Sequence, residues 1–336
     1  MKILIIRMSS IGDVLLTTPV IKAFKDKYPD AQIDFLVLEQ FKDAITGFKY
    51  IDKVILFNKK ENDGLSSIIK FAKTLKKNNY DFVFDLHGKF RSRIICATLG
   101  VKTYRYRKRA WWKSILVKTG MTRYQVDDTI VKNYFGAFKK FDIKYQGEDL
   151  EFYYGDNSKF LEYKNLPMLA PGASKETKKW TTEGFGRLAK LIYEKHGVKS
   201  VLIGGKVDIE KCNEIDRLSG GVCVNFAGKL TLKESGAVLS LGKFLVTNDS
   251  GPFHIARGVK CPTFVIFGPT SPGMFDLGQN DTLVYAGVPC SPCSLHGDKI
   301  CPRGHFRCMK EITGDMVFDM IEKKLNGRSK RGKSEK

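Results

Sequence analysis

Short apolar runs of strand length alternate with amphipathic segments of helix length along nearly the whole chain, and this rhythm constrains the fold more than any single motif. In the first half, strands are predicted at Lys2–Met8, Gln32–Leu38, Val54–Phe57, Asp81–Leu86 and Thr103–Tyr106. Between them, Asp13–Tyr28 carries Val14, Leu15, Ile21 and Phe24 at helical spacing and is closed by Pro29. Further helices are predicted at Ser66–Lys77, Arg91–Leu99 and Thr129–Phe141. A polar, irregular span at 147–166 interrupts the pattern, which then restarts. Strands follow at Met168–Pro171, Ser200–Gly204, Val222–Phe226, Phe244–Asn248, Thr263–Phe267 and Leu283–Tyr285. Helices are predicted at Thr182–His196, Ile209–Leu218, Leu232–Leu241, after Pro252, and at Thr313–Leu325 with Met316, Val317, Met320 and Ile321 facing inward. Such alternation implies parallel sheets covered on both faces. The chain therefore reads as α/β, with two Rossmann-like lobes facing across a cleft at 1–155 and 166–325. A basic tail at 326–336 lacks apolar residues and is expected to be disordered.

The length of 336 residues suits two domains of ordinary size. No apolar run approaches the ~20 residues that span a bilayer. The opening Met1–Arg7 reads as a first strand and not as a signal segment, so a cytoplasmic location is expected, with peripheral contact at the inner membrane. The 57 basic residues exceed the 36 acidic ones by 21, which calls for a phosphorylated substrate, an anionic membrane face or nucleic acid. No nucleic-acid motif is present. The charge gathers in the tail and in Lys102–Lys113, which includes Arg105, Arg107, Lys108, Arg109, Trp111 and Trp112 and no acid.

Parallel sheets bind ligands outside the carboxyl ends of their strands, so the following loops are the place to seek chemistry. After the first strand comes Arg7–Asp13, where Ser10 and Gly12 allow close approach and Asp13 opens a helix. That carboxylate either satisfies the helix N-terminus or, facing an electrophile in the other lobe, acts as a general base. In the second half, Ala170–Trp180 offers Ser174, Lys178 and Lys179 in a small-residue loop, without the spacing of a P-loop. Gly204-Gly205-Lys206 is a second permissive turn. Thr247–His254 is the third: Asp249 and Ser250 are placed to cap a short helix, Gly251 to allow a tight turn, and Pro252 to sit at its first position. A helix N-terminus at a strand's carboxyl end is an anion site. Three such loops without a Gly-x-Gly-x-x-Gly fingerprint point to a nucleoside diphosphate other than NAD.

Several segments, in order, resemble one family. They are Arg7-x-Ser9-Ser10-x-Gly12-Asp13-Val14, Asp85-Leu86-His87-Gly88 with Arg91-Ser92, Ala170-Pro171-Gly172-Ala173 with Lys178-Lys179-Trp180, and Gly228 with Leu230-Thr231-Leu232. Asn248-Asp249-Ser250-Gly251-Pro252-x-His254 and Phe267-Gly268-Pro269-Thr270 complete the set. Together they resemble the heptosyltransferases of glycosyltransferase family 9, over nearly the whole chain to about Leu325. The resemblance implies a GT-B fold and an inverting, metal-independent transfer of heptose from ADP-heptose to an anionic lipid A–Kdo or heptosylated acceptor of lipopolysaccharide. A transferase of the same family using another nucleotide sugar or acceptor is the alternative. It further implies Asp13 as base, Lys178 and Ser174 at the donor diphosphate, and Asp249, Gly251, Pro252 and His254 at the sugar and phosphate end. Ser250 stands where threonine is commoner. Asp208 and Glu210 are the candidates for a ribose contact, and Arg105 and Arg109 for the anionic acceptor or the membrane interface.

Four cysteines are clustered as Cys290-x2-Cys293-x7-Cys301-x6-Cys308. Thiolates at this spacing suit a structural tetrahedral zinc, with an iron–sulfur cluster a poorer fit and packed reduced thiols the plain alternative. The implied chemistry requires no cofactor. Cys96, Cys212, Cys223 and Cys261 lie among apolar neighbours and read as core.

Overall fold

The computed structural model describes residues 1–106 and 128–334. Its first sheet comprises β1 (Lys2–Ile6), β2 (Gln32–Leu38), β3 (Lys53–Phe57), β4 (Phe82–Asp85) and β5 (Lys102–Tyr104), in the order β3-β2-β1-β4-β5. Every neighbouring pair is parallel, with Ile3 opposite Ile33 on one side and Phe82 on the other. The second sheet contains β6 (Pro167–Ala170), β7 (Ser200–Leu202), β8 (Cys223–Asn225), β9 (Phe244–Asn248), β10 (Thr263–Phe267) and β11 (Asp281–Tyr285). Its order is β11-β10-β9-β6-β7-β8, again parallel throughout. Both sheets thus have the Rossmann strand order. In each, the chain lays three strands outward in one direction and then returns to the middle, so β1 and β4, and likewise β6 and β9, flank a switch point. Ligands of open α/β sheets bind at this place, outside the strands' carboxyl ends.

The central strands are apolar on both faces because helices cover both sides; Ile3, Leu4, Ile5 and Ile6 are fully buried. The covering helices of the first sheet are α1 (Ile11–Leu15), α2 (Thr18–Lys27), α3 (Leu65–Lys76), α4 (Phe90–Leu99) and α5 (Ile130–Ala137). The second sheet carries α6 (Thr182–His196), α7 (Ile209–Ser219), α8 (Leu232–Leu241), α9 (Gly251–Gly258), α10 (Arg307–Lys310) and α11 (Gly314–Ser334). One apolar cluster runs through both halves: Phe24, Phe84, Tyr134 and Phe138 of the first belong with Phe253, Phe267, Met274 and Phe275 of the second. Polar links cross as well, Thr129 Oγ1 donating to Asp276 Oδ2 at 2.6 Å and the Glu151 amide donating to Thr18 Oγ1 at 3.1 Å.

Three differences from the expected elements have local causes. The helix expected over Asp13–Tyr28 is two helices. Thr17 and Thr18 hydroxyls donate to the carbonyls of Val14 and Leu15, at 2.6 and 2.8 Å, and Pro19 supplies no amide to continue the ladder. Met316 is 49% exposed; the inward stripe is Val317 and Ile321, with Phe318 packed beside them. The last helix runs to Ser334, past the Leu325 at which the second lobe was expected to end.

Candidate active site

At the carboxyl end of β1 the chain turns sharply, and Asp13 falls in the first turn of α1. Its carboxylate is held from two sides. Arg7 Nη2 lies 2.7 Å from Oδ1, and the Ser10 amide and hydroxyl donate to Oδ2 at 3.1 and 3.0 Å. Arg7 is itself buried, fixed by donation from Nη1 to the Leu86 carbonyl at 2.6 Å and by packing over the Tyr134 ring. Burial alone would raise the Asp13 pKa, but the Arg7 guanidinium and the Ser10 hydrogen bonds outweigh it and hold the group at about 2. The side chain keeps 32% of its surface open. It is an ionised, oriented carboxylate with one edge free for a ligand.

At the matching position of the second sheet, two loops converge. Asn248, fully buried at the end of β9, accepts from the Trp180 amide at 2.9 Å and donates to the Pro171 carbonyl at 2.9 Å, tying the loop after β6 to the loop after β9. Trp180 packs in the core, with Nε1 donating to the Ile312 carbonyl at 2.8 Å. Beyond Asn248, Asp249 receives Lys178 Nζ at 2.6 Å and the Thr270 hydroxyl at 2.8 Å. Neither Asp249 nor Ser250 caps α9. The carboxylate is occupied by Lys178 and Thr270, and Ser250 makes no side-chain cap; its Oγ is buried without a partner. The positive end of α9 is therefore left without a side-chain acceptor, which favours an anion.

The two loops meet. Gly12 packs so closely on His254 of α9 that a Cβ there would approach its Cδ2 to 2.3 Å, and Ile11 lies against Gly251. This contact, and not backbone conformation, explains the glycine at 12. His254 is 5% exposed with Nδ1 lacking a partner. Burial pushes its pKa down to about 4 against the pull of Asp249, with Arg257, Asp13 and Lys178 also within electrostatic reach. The imidazole is neutral at ordinary pH, between the carboxylate of one half and the lysine–aspartate pair of the other.

Other expected residues are placed differently. Ser174 is exposed on the loop after β6. Lys179 pairs with Glu176 at 2.6 Å instead of joining Lys178. The turn after β7 does not offer a free anion site at Gly205, because that amide donates to Asp208 Oδ2 at 2.9 Å. Asp208 is thereby folded back against Gly172, while Glu210 is exposed. Arg105 Nε donates to the buried Asp85 at 3.0 Å at the edge of the first sheet; Arg109 lies outside the described residues.

The cysteines do not form the expected zinc site. Among the described residues, no group of three or more His, Cys, Asp or Glu side chains is placed to hold a metal ion. Cys308 sits on α10 inside the second core, where burial, and after it the neighbouring Cys293, Cys290 and Cys301, push its thiol up to about 12. Cys290 faces His305 Nε2 at 3.7 Å. Cys96, Cys212 and Cys261 are buried as expected, and Cys223 is half-buried.

The family model described as glycosyltransferase family 9 (heptosyltransferase) matches residues 68–302. The chain belongs to glycosyltransferase family 9. It is 27% identical to lipooligosaccharide heptosyltransferase 2 of Campylobacter jejuni subsp. jejuni serotype O:2, over 97% of this chain and 98% of that protein. Its fold is similar to the solved structure of the E. coli ADP-heptose lps heptosyltransferase II, with a TM-score of 0.77 at 21% identity over 98% and 100% of the two chains. A family 9 glycosyltransferase structure from Veillonella parvula DSM 2008 aligns with a TM-score of 0.80 at 20% identity over 96% of each chain. The GT-B arrangement expected from the motifs is thus the observed one. The family-matched span contains Lys178 and Asp249 but begins after Asp13. Two residues of this family 9 site, Arg7 and Thr270, stood in the quoted motifs without a role. Each orients an acid, a function that only the contacts reveal.

Proposed function

We propose that this family 9 enzyme transfers a heptose from ADP-heptose to the Kdo or heptose inner core of lipopolysaccharide, with inversion at the anomeric carbon. Residues 1–155 receive the acceptor and residues 166–325 the donor. The C. jejuni relative is a lipooligosaccharide heptosyltransferase and the E. coli neighbour an ADP-heptose enzyme, which supports the substrate class. One observation carries the assignment within this chain: an oriented carboxylate on one lobe meets an anion-seeking pole on the other, across the Gly12–His254 contact.

In this reading the diphosphate lies at the uncapped start of α9, against Lys178, with Ser174 at its outer edge. The acceptor hydroxyl approaches the open edge of Asp13. Its oxygen bonds to the anomeric carbon, its proton passes to Asp13, and the bond from that carbon to the diphosphate oxygen breaks. ADP leaves with the negative charge, stabilised by Lys178 and the α9 amides where no metal is needed. Paired with Arg7, Asp13 is a weak base. It suffices because the hydroxyl becomes acidic as its oxygen bonds to carbon, and because an acceptor that displaces a Ser10 hydrogen bond raises the carboxylate's proton affinity. Among the described residues no helix is long and apolar enough to cross a membrane. Contact with a lipid-borne acceptor is then peripheral, through the basic run that begins at Lys102 and Arg105 and at the cytoplasmic face of the inner membrane.

The donor assignment is tested by thermal shift with ADP, UDP, GDP and CDP in turn. ADP at about 100 times its Kd should stabilise the protein by about 2.7 kcal/mol and the others by far less. Equal or stronger stabilisation by another diphosphate would assign the site to a different nucleotide sugar.

A further inference from the structure

The loop after β11, spanning residues 286–306, has no part in the reaction just described, yet it is seated on both loops that form the phosphate pole. On one side, the amides of Cys293 and Ser294 both donate to the Pro269 carbonyl at 2.9 Å, and Ser291 Oγ donates to the Gly268 carbonyl. They brace the turn that carries Thr270, whose hydroxyl holds Asp249. On the other side, the Asp298 amide donates to Thr177 Oγ1 at 2.8 Å, while Thr177 Oγ1 and its amide donate to the Asp298 carbonyl at 3.0 and 3.1 Å. Between these anchors runs the Lys178 side chain. Gly297, at φ +76°, lies so near it that a Cβ would come within 2.7 Å of Cγ and 2.9 Å of Cδ.

We propose that the loop after β11 is a positioning element for donor binding, with Thr177, Gly297 and Asp298 holding the Lys178 ammonium at the place where it meets the donor phosphate. This rests on the reading of Lys178 as the phosphate contact. A free lysine side chain loses about 2 kcal/mol of rotamer entropy when it is fixed. A lysine already confined by Gly297 on one flank and the Thr177–Asp298 clamp at its root has given up most of that freedom before the ligand arrives, so binding is tighter. Thr177 and Gly297 act through Lys178 and do not touch the substrate.

The test uses the full chain carrying Thr177→Val, Thr177→Ser or Lys178→Ala, with folding checked by Tm and circular dichroism. ADP affinity is measured by calorimetry, and KM for donor and acceptor separately. Thr177→Val should raise the ADP Kd and donor KM by about 5–10-fold, the affinity equivalent of a lost hydrogen bond. Acceptor KM should stay unchanged, and Thr177→Ser should restore both donor parameters. A folded Thr177→Val protein with unaltered ADP affinity, while Lys178→Ala weakens it, overturns the positioning role alone. A silent Lys178→Ala overturns the phosphate reading beneath it. If Thr177→Val does not fold, Gly297→Ala replaces it: its Cβ would crowd Lys178 most closely and Lys175 beside it, at a φ of +76° that strains the backbone, so its Tm is read alongside the ADP Kd. An unchanged ADP Kd in that variant overturns the proposal, and a raised one supports it.

Discussion

His254 occupies a position that neither a purely structural nor a purely solvated histidine would choose. Its ring is pressed on Gly12, almost sealed from solvent, and one nitrogen has no partner. The cost of charging it there shows in a pKa depressed from 6.5 to about 4. Above pH 6.5 the imidazole is neutral in folded and unfolded chains, so it contributes no pH dependence. As the pH falls, the unfolded chain takes up the proton first, and stability drains away until the folded form protonates near pH 4. The gap corresponds to about 3 kcal/mol. Denaturant unfolding of the wild-type protein should therefore lose stability between pH 6.5 and 4 more steeply than that of His254→Gln. Parallel slopes would mean that the imidazole is hydrated and not confined. The Asp13 pKa is lowered as well, but there the shift favours the charged form: the carboxylate stays ionised at any pH where His254 is neutral.

At the scale of the element, α9 departs from the usual way in which a helix is started. Serine at an N-cap normally accepts from the second or third amide of the helix, and its loss costs about 1 kcal/mol. Ser250 makes no such bond and keeps a buried hydroxyl unpaired. Ser250→Ala should therefore change Tm little while raising donor KM, because the hydroxyl and amides of this turn serve the ligand and not the helix. A loss of stability with unchanged donor KM would identify Ser250 as an ordinary cap. The strand–helix rhythm was readable from residues alone because burial on both sheet faces imposes continuous apolar runs; Gln32–Leu38, Phe244–Asn248 and Thr263–Phe267 appear with the expected limits. Side-chain destinations were less readable. Nothing in the sequence says that Asp208 would claim the Gly205 amide, that Lys179 would turn to Glu176, or that threonine hydroxyls at 17 and 18 would break the first helix in two. Those outcomes depend on which acceptor a polar group finds once the backbone is placed.

Over the whole molecule, two sheets of like topology meet through the loops at their switch points, and the apolar cluster shared by Phe84, Phe138, Phe253 and Phe267 joins them. A motif search finds the loops at each switch point but cannot find their meeting, because Gly12 and His254 are 242 positions apart in the chain and are neighbours only through the fold. The cysteine cluster illustrates the reverse error: residues close in sequence suggested a metal, yet among the described residues no three or more ligating side chains are placed to hold one. What function requires of this architecture is that each half supply one part of the reaction. The most direct measurement is single-turnover transfer from ADP-heptose by Asp13→Asn, with the Kd for ADP-heptose measured on the same folded protein. Transfer should fall by about 10²–10⁴-fold, the usual contribution of a positioned base, while donor affinity remains within about twofold. Near wild-type transfer, or a matching collapse of donor binding, would contradict the division of labour between the two halves.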